Sequence, residues 1–171
     1  MVEPRPKRIL GVDIGGVIID GSAGVSSGDD TDLDDEGFLE TPAIAGAIRM
    51  IAQLNLAFDQ TYLISKARPA TRERTNRWLK HHNFYGLTGI VPQRVIYTDD
   101  RIQKAVVASL VGISHFVDDK LEVLKYLKGV ARCRVLFRSD PSEVTNFIDD
   151  LPGVFMVDTW AQAAEVLRVS P

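Results

Sequence analysis

Two patterns of apolar residues alternate along this chain. Short, mostly apolar runs bounded by glycine, serine or carboxylates occur at residues 8–13, 61–65, 94–97, 115–117, 135–137 and 154–157. Runs of that length predict strands, and their near-continuous apolar character predicts burial on both faces. Between them, apolar residues recur at helical spacing. Ile44, Ala47, Ile48, Ile51 and Leu54 form one stripe behind Thr41 and Pro42, a cap residue and a first-turn proline that predict a helix start. Helices are also predicted over 71–82, 101–110, 121–127 and 142–150, and from Thr159, where Trp160, Ala163, Ala164 and Leu167 share one side. Regular strand–helix alternation predicts an α/β fold: a doubly wound, mostly parallel, Rossmann-like sheet in three α/β/α layers. No internal repeat is visible.

One stretch departs from both patterns. Residues 20–40 are rich in glycine, serine and acid, with Asp29, Asp30, Asp32, Asp34, Asp35 and Glu36 close together. Such a segment buries little and predicts a flap or loop. A calcium loop fits the spacing of Asp30, Asp32 and Asp34. It lacks the glycine that Asp35 displaces and the bidentate Glu that Thr41 displaces. A solvated acidic loop is the better reading.

Composition narrows the class. A chain of 171 residues with 45% hydrophobic and 25% charged residues predicts one globular domain, 1–171, with no separate cap domain. The net charge of -3 gives no general attraction for nucleic acid or an anionic membrane. Cys133 is the only cysteine, so no intrachain disulfide forms, and a reducing compartment is the natural setting. No apolar run approaches the ~18 residues of a membrane span, and the first residues lack a signal-peptide core. A cytoplasmic location is expected.

The candidate chemistry lies where the predicted strands end. The first strand stops at Asp13, the second at Ser65, and the fourth at Asp118 and Asp119. A parallel sheet brings its strand C-termini to one edge, where open α/β sheets place their ligands. Lys104, in the helix that leads to the fourth strand, has the length to reach that edge. Carboxylates, a hydroxyl and a lysine together suit Mg²⁺ and a phosphoryl group. Gly15 and Gly16 remove side chains beside Asp13 and let the backbone approach a ligand closely.

These residues resemble a known family. Asp13-Ile14-Gly15-Gly16-Val17-Ile18, Ser65 after its apolar run, Lys104, and Phe116-Val117-Asp118-Asp119 look like the four motifs, in order, of the haloacid dehalogenase-like (HAD) superfamily. The resemblance implies a Mg²⁺-dependent phosphohydrolase acting on a phosphorylated substrate through an aspartyl-phosphate. Asp13 would be nucleophile and metal ligand, with Ser65 and Lys104 as its catalytic partners. Asp118 and Asp119 would anchor the metal, and Gly15 would offer it a backbone carbonyl. Gly16, Lys66 and Arg68 would face the substrate, with Lys66 a substitute for Lys104. The lack of room for a cap implies an open site, suited to bulky substrates or to a cap borrowed from a partner in a homo-oligomer.

Gly15 departs from the family's phosphatases, which carry a second Asp there as general acid and base. General acid–base assistance contributes about 10²–10⁴-fold. Three readings follow: a phosphatase weak on ordinary esters, an enzyme for another bond, or a catalytically inactive binding or regulatory protein with the same fold. Asp20 compensates only if the following loop folds back. Structural readings compete elsewhere. Asp118 and Asp119 suit a helix start, and so do Asp99 and Asp100. Ser65 alone reads as a turn residue. His81 and His82 suit a helix C-terminus, and His115 suits a packed strand. Arg72, Arg74 and Arg77 read as a solvated helix face, and the acidic segment argues against a nucleic-acid groove there.

Overall fold

The apolar runs fold as six parallel strands of one sheet in a computed structural model, which describes residues 5–21 and 35–170. The strands are β1 (Ile9–Val12), β2 (Gln60–Lys66), β3 (Val95–Thr98), β4 (His115–Asp118), β5 (Cys133–Phe137) and β6 (Val154–Val157). Their order is β3-β2-β1-β4-β5-β6, the doubly wound arrangement that reverses direction between β1 and β4. Val12 is in register with Leu63 of β2 on one side and Val117 of β4 on the other.

Alternation along the strands builds two cores. Leu10, Val12, Leu63, Val117 and Phe137 face one layer, with Ile51 and Leu54 of α2 (Ala47–Ala57), Trp78 and Leu79 of α3 (Pro69–His81), and Trp160 and Leu167 of α8 (Trp160–Val169). Ile9, Ile64, Phe116 and Leu136 face the other, with Ala108 of α5 (Gln103–Val111) and Leu121, Val123 and Leu124 of α6 (Leu121–Tyr126). Each such side chain, fully buried, contributes about 1.5–3 kcal/mol relative to exposure. Gly11 in β1 makes room for this packing, because a Cβ there would lie 2.5 Å from Phe116 Cδ2.

Several boundaries differ from the sequence pattern. Thr41 and Pro42 do not open a helix; α2 starts at Ala47. Ala43 instead bridges Ile19 in antiparallel fashion, Asp20 N–H donates to Pro42 O (3.0 Å), and Ile44 N–H donates to Ile18 O (2.8 Å). This pairing takes up the backbone groups before the helix begins. Of the acidic segment, 22–34 lies outside the described residues, while α1 (Asp35–Leu39) is a short helix with Phe38 buried. The short helix α4 (Phe84–Thr88) has no periodic signature and lies between left-handed Asn83 and Gly89. The helix predicted over 142–150 divides into α7 (Pro141–Asn146) and a 3₁₀ turn, Ile148–Asp150. Among the described residues, no helix is long and apolar enough to cross a membrane.

Candidate metal and phosphoryl site

Asp13 directly follows β1 and Asp118 ends β4, so the two carboxylates flank the point where strand order reverses. Asp13 N–H donates to Val117 O (3.0 Å), which continues the sheet pairing into the site. Asp13, Asp118 and Asp119 are all buried, and one carboxylate oxygen from each lies within 4.8 Å of the others. Lys104, in the first turn of α5, is buried between them. Its Nζ is 2.8 Å from Asp118 Oδ2 and 3.0 Å from Asp13 Oδ1. Lys120 holds the other side: its Nζ is 3.2 Å from Asp119 Oδ2, and its N–H donates to Asp118 Oδ1 (2.9 Å).

The electrostatics follow from burial. Desolvation opposes the Lys104 ammonium, but Asp118 and Asp13 outweigh it and hold its pKa above the ordinary lysine value. Asp118 and Asp119 move upward, chiefly through burial; Lys104 opposes the rise in Asp118 and Lys120 that in Asp119. Three carboxylates thus face two ammonium groups in a largely buried pocket. Asp119 Oδ1 is also buried without a hydrogen-bond partner among the described residues. A hard divalent cation fits this donor set: it takes oxygen ligands, supplies the missing charge and satisfies the orphaned oxygen.

Gly16 makes the pocket possible. Its φ is +74°, and a Cβ there would lie 2.7 Å from Asp119 Oδ2. Gly16 N–H donates to Ile19 O (3.0 Å), closing a tight loop after Asp13. Trp160, buried at the start of α8, pins that loop by donating its Nε1–H to Val17 O (2.8 Å).

No family model matches the chain, and no curated protein matches it. Solved structures do. A D,D-heptose 1,7-bisphosphate phosphatase from B. bronchiseptica, complexed with magnesium and phosphate, aligns at 17% identity and a TM-score of 0.62, over 94% of this chain and 97% of that one. The corresponding phosphatase from Burkholderia thailandensis aligns at 17% identity and 0.64, over 96% and 100%. A protein described as a haloacid dehalogenase-like hydrolase, from Burkholderia xenovorans LB400, aligns at 14% identity and 0.65, over 97% and 100%. The chain has the haloacid dehalogenase-like fold.

Within that fold, the other sequence candidates fall just after β1, at the end of β2 and at the start of α3. Ser65 is buried near the end of β2, in register with Tyr97. Lys66 ends the same strand, and Arg68 is the N-cap of α3. Gly15 forms an isolated bridge with Ile19, and its backbone belongs to the tight loop beside Asp13.

The competing readings separate cleanly. Asp119 precedes the α6 N-cap, Lys120, so neither it nor Asp118 occupies the cap position. Asp99 and Asp100 do not cap α5 with their side chains, which corrects the helix-start reading. Gln103 Oε1 instead accepts from the Asp99 and Asp100 N–H groups, at 3.0 and 3.4 Å. His82 stacks on Trp78 and meets Leu39 O at 2.8 Å, and His115 packs edge-on against Phe58. Lys120 has no place in the sequence-level set. Its position directly after Asp118 and Asp119 was the available signal, but only the fold shows that its two groups reach different carboxylates.

Proposed function

We propose that this chain is a Mg²⁺-dependent phosphohydrolase of haloacid dehalogenase-like type, with Asp13 as nucleophile. The observation that carries the reading is the convergence of three buried carboxylates and one buried lysine at the sheet's switch point. The shared fold with phosphatases, one of them complexed with magnesium and phosphate, supports it.

Asp13, Asp118, Asp119 and the Gly15 carbonyl would hold the metal. When bound, Mg²⁺ neutralises phosphoryl oxygens and draws the carboxylates together. Lys104 orients the Asp13 carboxylate and offers its remaining hydrogens to the phosphoryl group. Ser65 donates to a phosphoryl oxygen, and Gly16 leaves the approach clear. The Asp13 carboxylate attacks phosphorus, and the bond to the leaving oxygen breaks with its electron pair going to the leaving group. Water then attacks the same phosphorus; the bond from Asp13 oxygen to phosphorus breaks with its electron pair returning to the carboxylate, and the water's protons leave on the phosphate. Gly15 contributes no acid to protonate the leaving oxygen. Substrates whose leaving groups depart as stable anions, such as aryl phosphates or mixed anhydrides, are therefore favoured over alkyl esters.

Gly15 also motivates a second reading, a binding or regulatory protein that keeps the phosphoryl site without turnover. Hydrolysis of p-nitrophenyl phosphate with and without Mg²⁺ separates the two. The enzyme reading expects Mg²⁺-dependent turnover that Asp13→Asn lowers by at least about 10³-fold. Turnover that survives Asp13→Asn, or no turnover at all, sinks it.

A further inference from the structure

The segment leaving β2 carries Ser65, Lys66 and Arg68, and its backbone is held from two directions. Ala67 N–H donates to Thr98 O, at the end of β3 (3.1 Å). Ala67 O accepts from Nε of Arg72 (2.8 Å). The same guanidinium donates through Nη2 to Asp99 Oδ1 and lies 5.9 Å over the ring of Tyr97. Tyr97 is the register partner of Ser65, and its hydroxyl donates to Asn76 Oδ1 (2.8 Å). Arg72, which the helical pattern assigns to a solvated face, therefore ties the end of β2 to the end of β3.

The physical role of this contact is geometric. Asp99 is 76% exposed, and an ion pair so open to water contributes little stability. The planar guanidinium fork, however, fixes the angle between two hydrogen bonds, which a single ammonium cannot do. Peptide groups are planar, so holding the Ala67 N–H on one side and its carbonyl on the other fixes both peptide planes around its Cα. The backbone ladder between β2 and β3 does not depend on Arg72. Removing that side chain releases only the second of those planes.

We propose that Arg72 is a positioning residue, holding Arg68 through the Ala67 carbonyl in the geometry that receives the phosphoryl group. The proposal rests on the reading of Arg68 as a residue that faces the substrate phosphate. Misplacing such groups by an ångström is costly.

Calorimetric titration of inorganic phosphate into the Mg²⁺-loaded full chain tests it, using wild type, Arg72→Ala, Arg72→Lys, Arg68→Ala and the double variant Arg68→Ala/Arg72→Ala. Arg72→Ala is expected to weaken phosphate binding about tenfold, with Mg²⁺ affinity unchanged. Arg72→Lys keeps the charge and is expected to be equally impaired. The loss should disappear in the Arg68→Ala background, because one residue acts through the other. Wild-type affinity in Arg72→Ala, full rescue by Arg72→Lys, or additive losses overturn this inference and leave the phosphohydrolase reading standing. A wild-type chain that binds Mg²⁺ but no phosphate overturns both.

Discussion

Gly15 and Gly16 are neighbours held by different constraints. Gly16 is required by geometry: its φ of +74° carries a penalty of about 1–2 kcal/mol for a residue with a Cβ. The added carbon would also press on Asp119 Oδ2, which Lys120 holds from the other side. Gly16→Ala should therefore lower Tm by about 2–8 °C and weaken Mg²⁺ binding, measurable by thermal denaturation and calorimetry. Gly15 is different, because it is absent from the positive-φ glycines and its interest lies in the acid it does not carry. Gly15→Asp is expected to raise turnover of alkyl phosphates by about 10²-fold or more, the scale of general acid assistance. Steady-state kinetics on an alkyl and an aryl phosphate reads this directly, and equal gains on both would argue against leaving-group protonation. Asp13, Asp118 and Asp119 were legible because an apolar run ending in a carboxylate is a local pattern. Lys120 and Arg72 were not, since each acts through contacts that no local pattern records.

At the scale of elements, β4 serves both ends of the sheet. Its last residue, Asp118, enters the site, while its first, His115, is buried at the opposite edge. The His115 ring meets Ser114 Oγ (2.7 Å) and Ser170 O (3.4 Å), the latter at the end of α8. Burial pushes the His115 pKa down to about 4, and the charges of Arg8 and Arg132 add to that. The folded state thus binds a proton less readily than the unfolded chain. The stability from neutral His115 is complete above about pH 6.5 and is lost as pH falls towards 4, a loss of about 3 kcal/mol at most. Asp118 and Asp119 titrate in the opposite sense when no metal is bound, so the informative quantity is the difference between wild type and His115→Gln. Urea denaturation across this range should show the advantage of wild type shrinking with acidity. A constant difference would refute the assignment. The elements missed by periodicity have a common cause. α1 and α4 are single turns whose existence depends on burying Phe38 and Phe84, and one turn is too short to display a period.

Among the described residues, three carboxylates and two lysines gather in one pocket, and these five groups carry one negative charge in excess when all are ionised. Mg²⁺ at 100 times its dissociation constant should stabilise the fold by about 2.7 kcal/mol, which for a chain of this size corresponds to a Tm rise of about 5–10 °C. Both Asp118 and Asp119 have raised pKa values, so protons compete with the metal, and the rise should be smaller at about pH 5 than at about pH 8. Differential scanning calorimetry at the two pH values measures this, and Ca²⁺ or no ion serves as control. A Tm independent of Mg²⁺ at the higher pH would show that the carboxylates do not form a metal site.

Sequence alone determined the alternation of strands and helices, the two-faced burial of β1, β4 and β5, and the carboxylates at the ends of β1 and β4. Those are properties of neighbouring residues, set by side-chain period and backbone preference. Only the tertiary structure decided that β1 lies between β2 and β4, which brings Asp13 to Asp118 across the switch point. It also decided that Lys104 lies between them, that Gly16 leaves room for Asp119, and that Arg72 spans two strand ends. Each depends on contacts between residues far apart in the chain, where packing and register choose the partner and local pattern is silent.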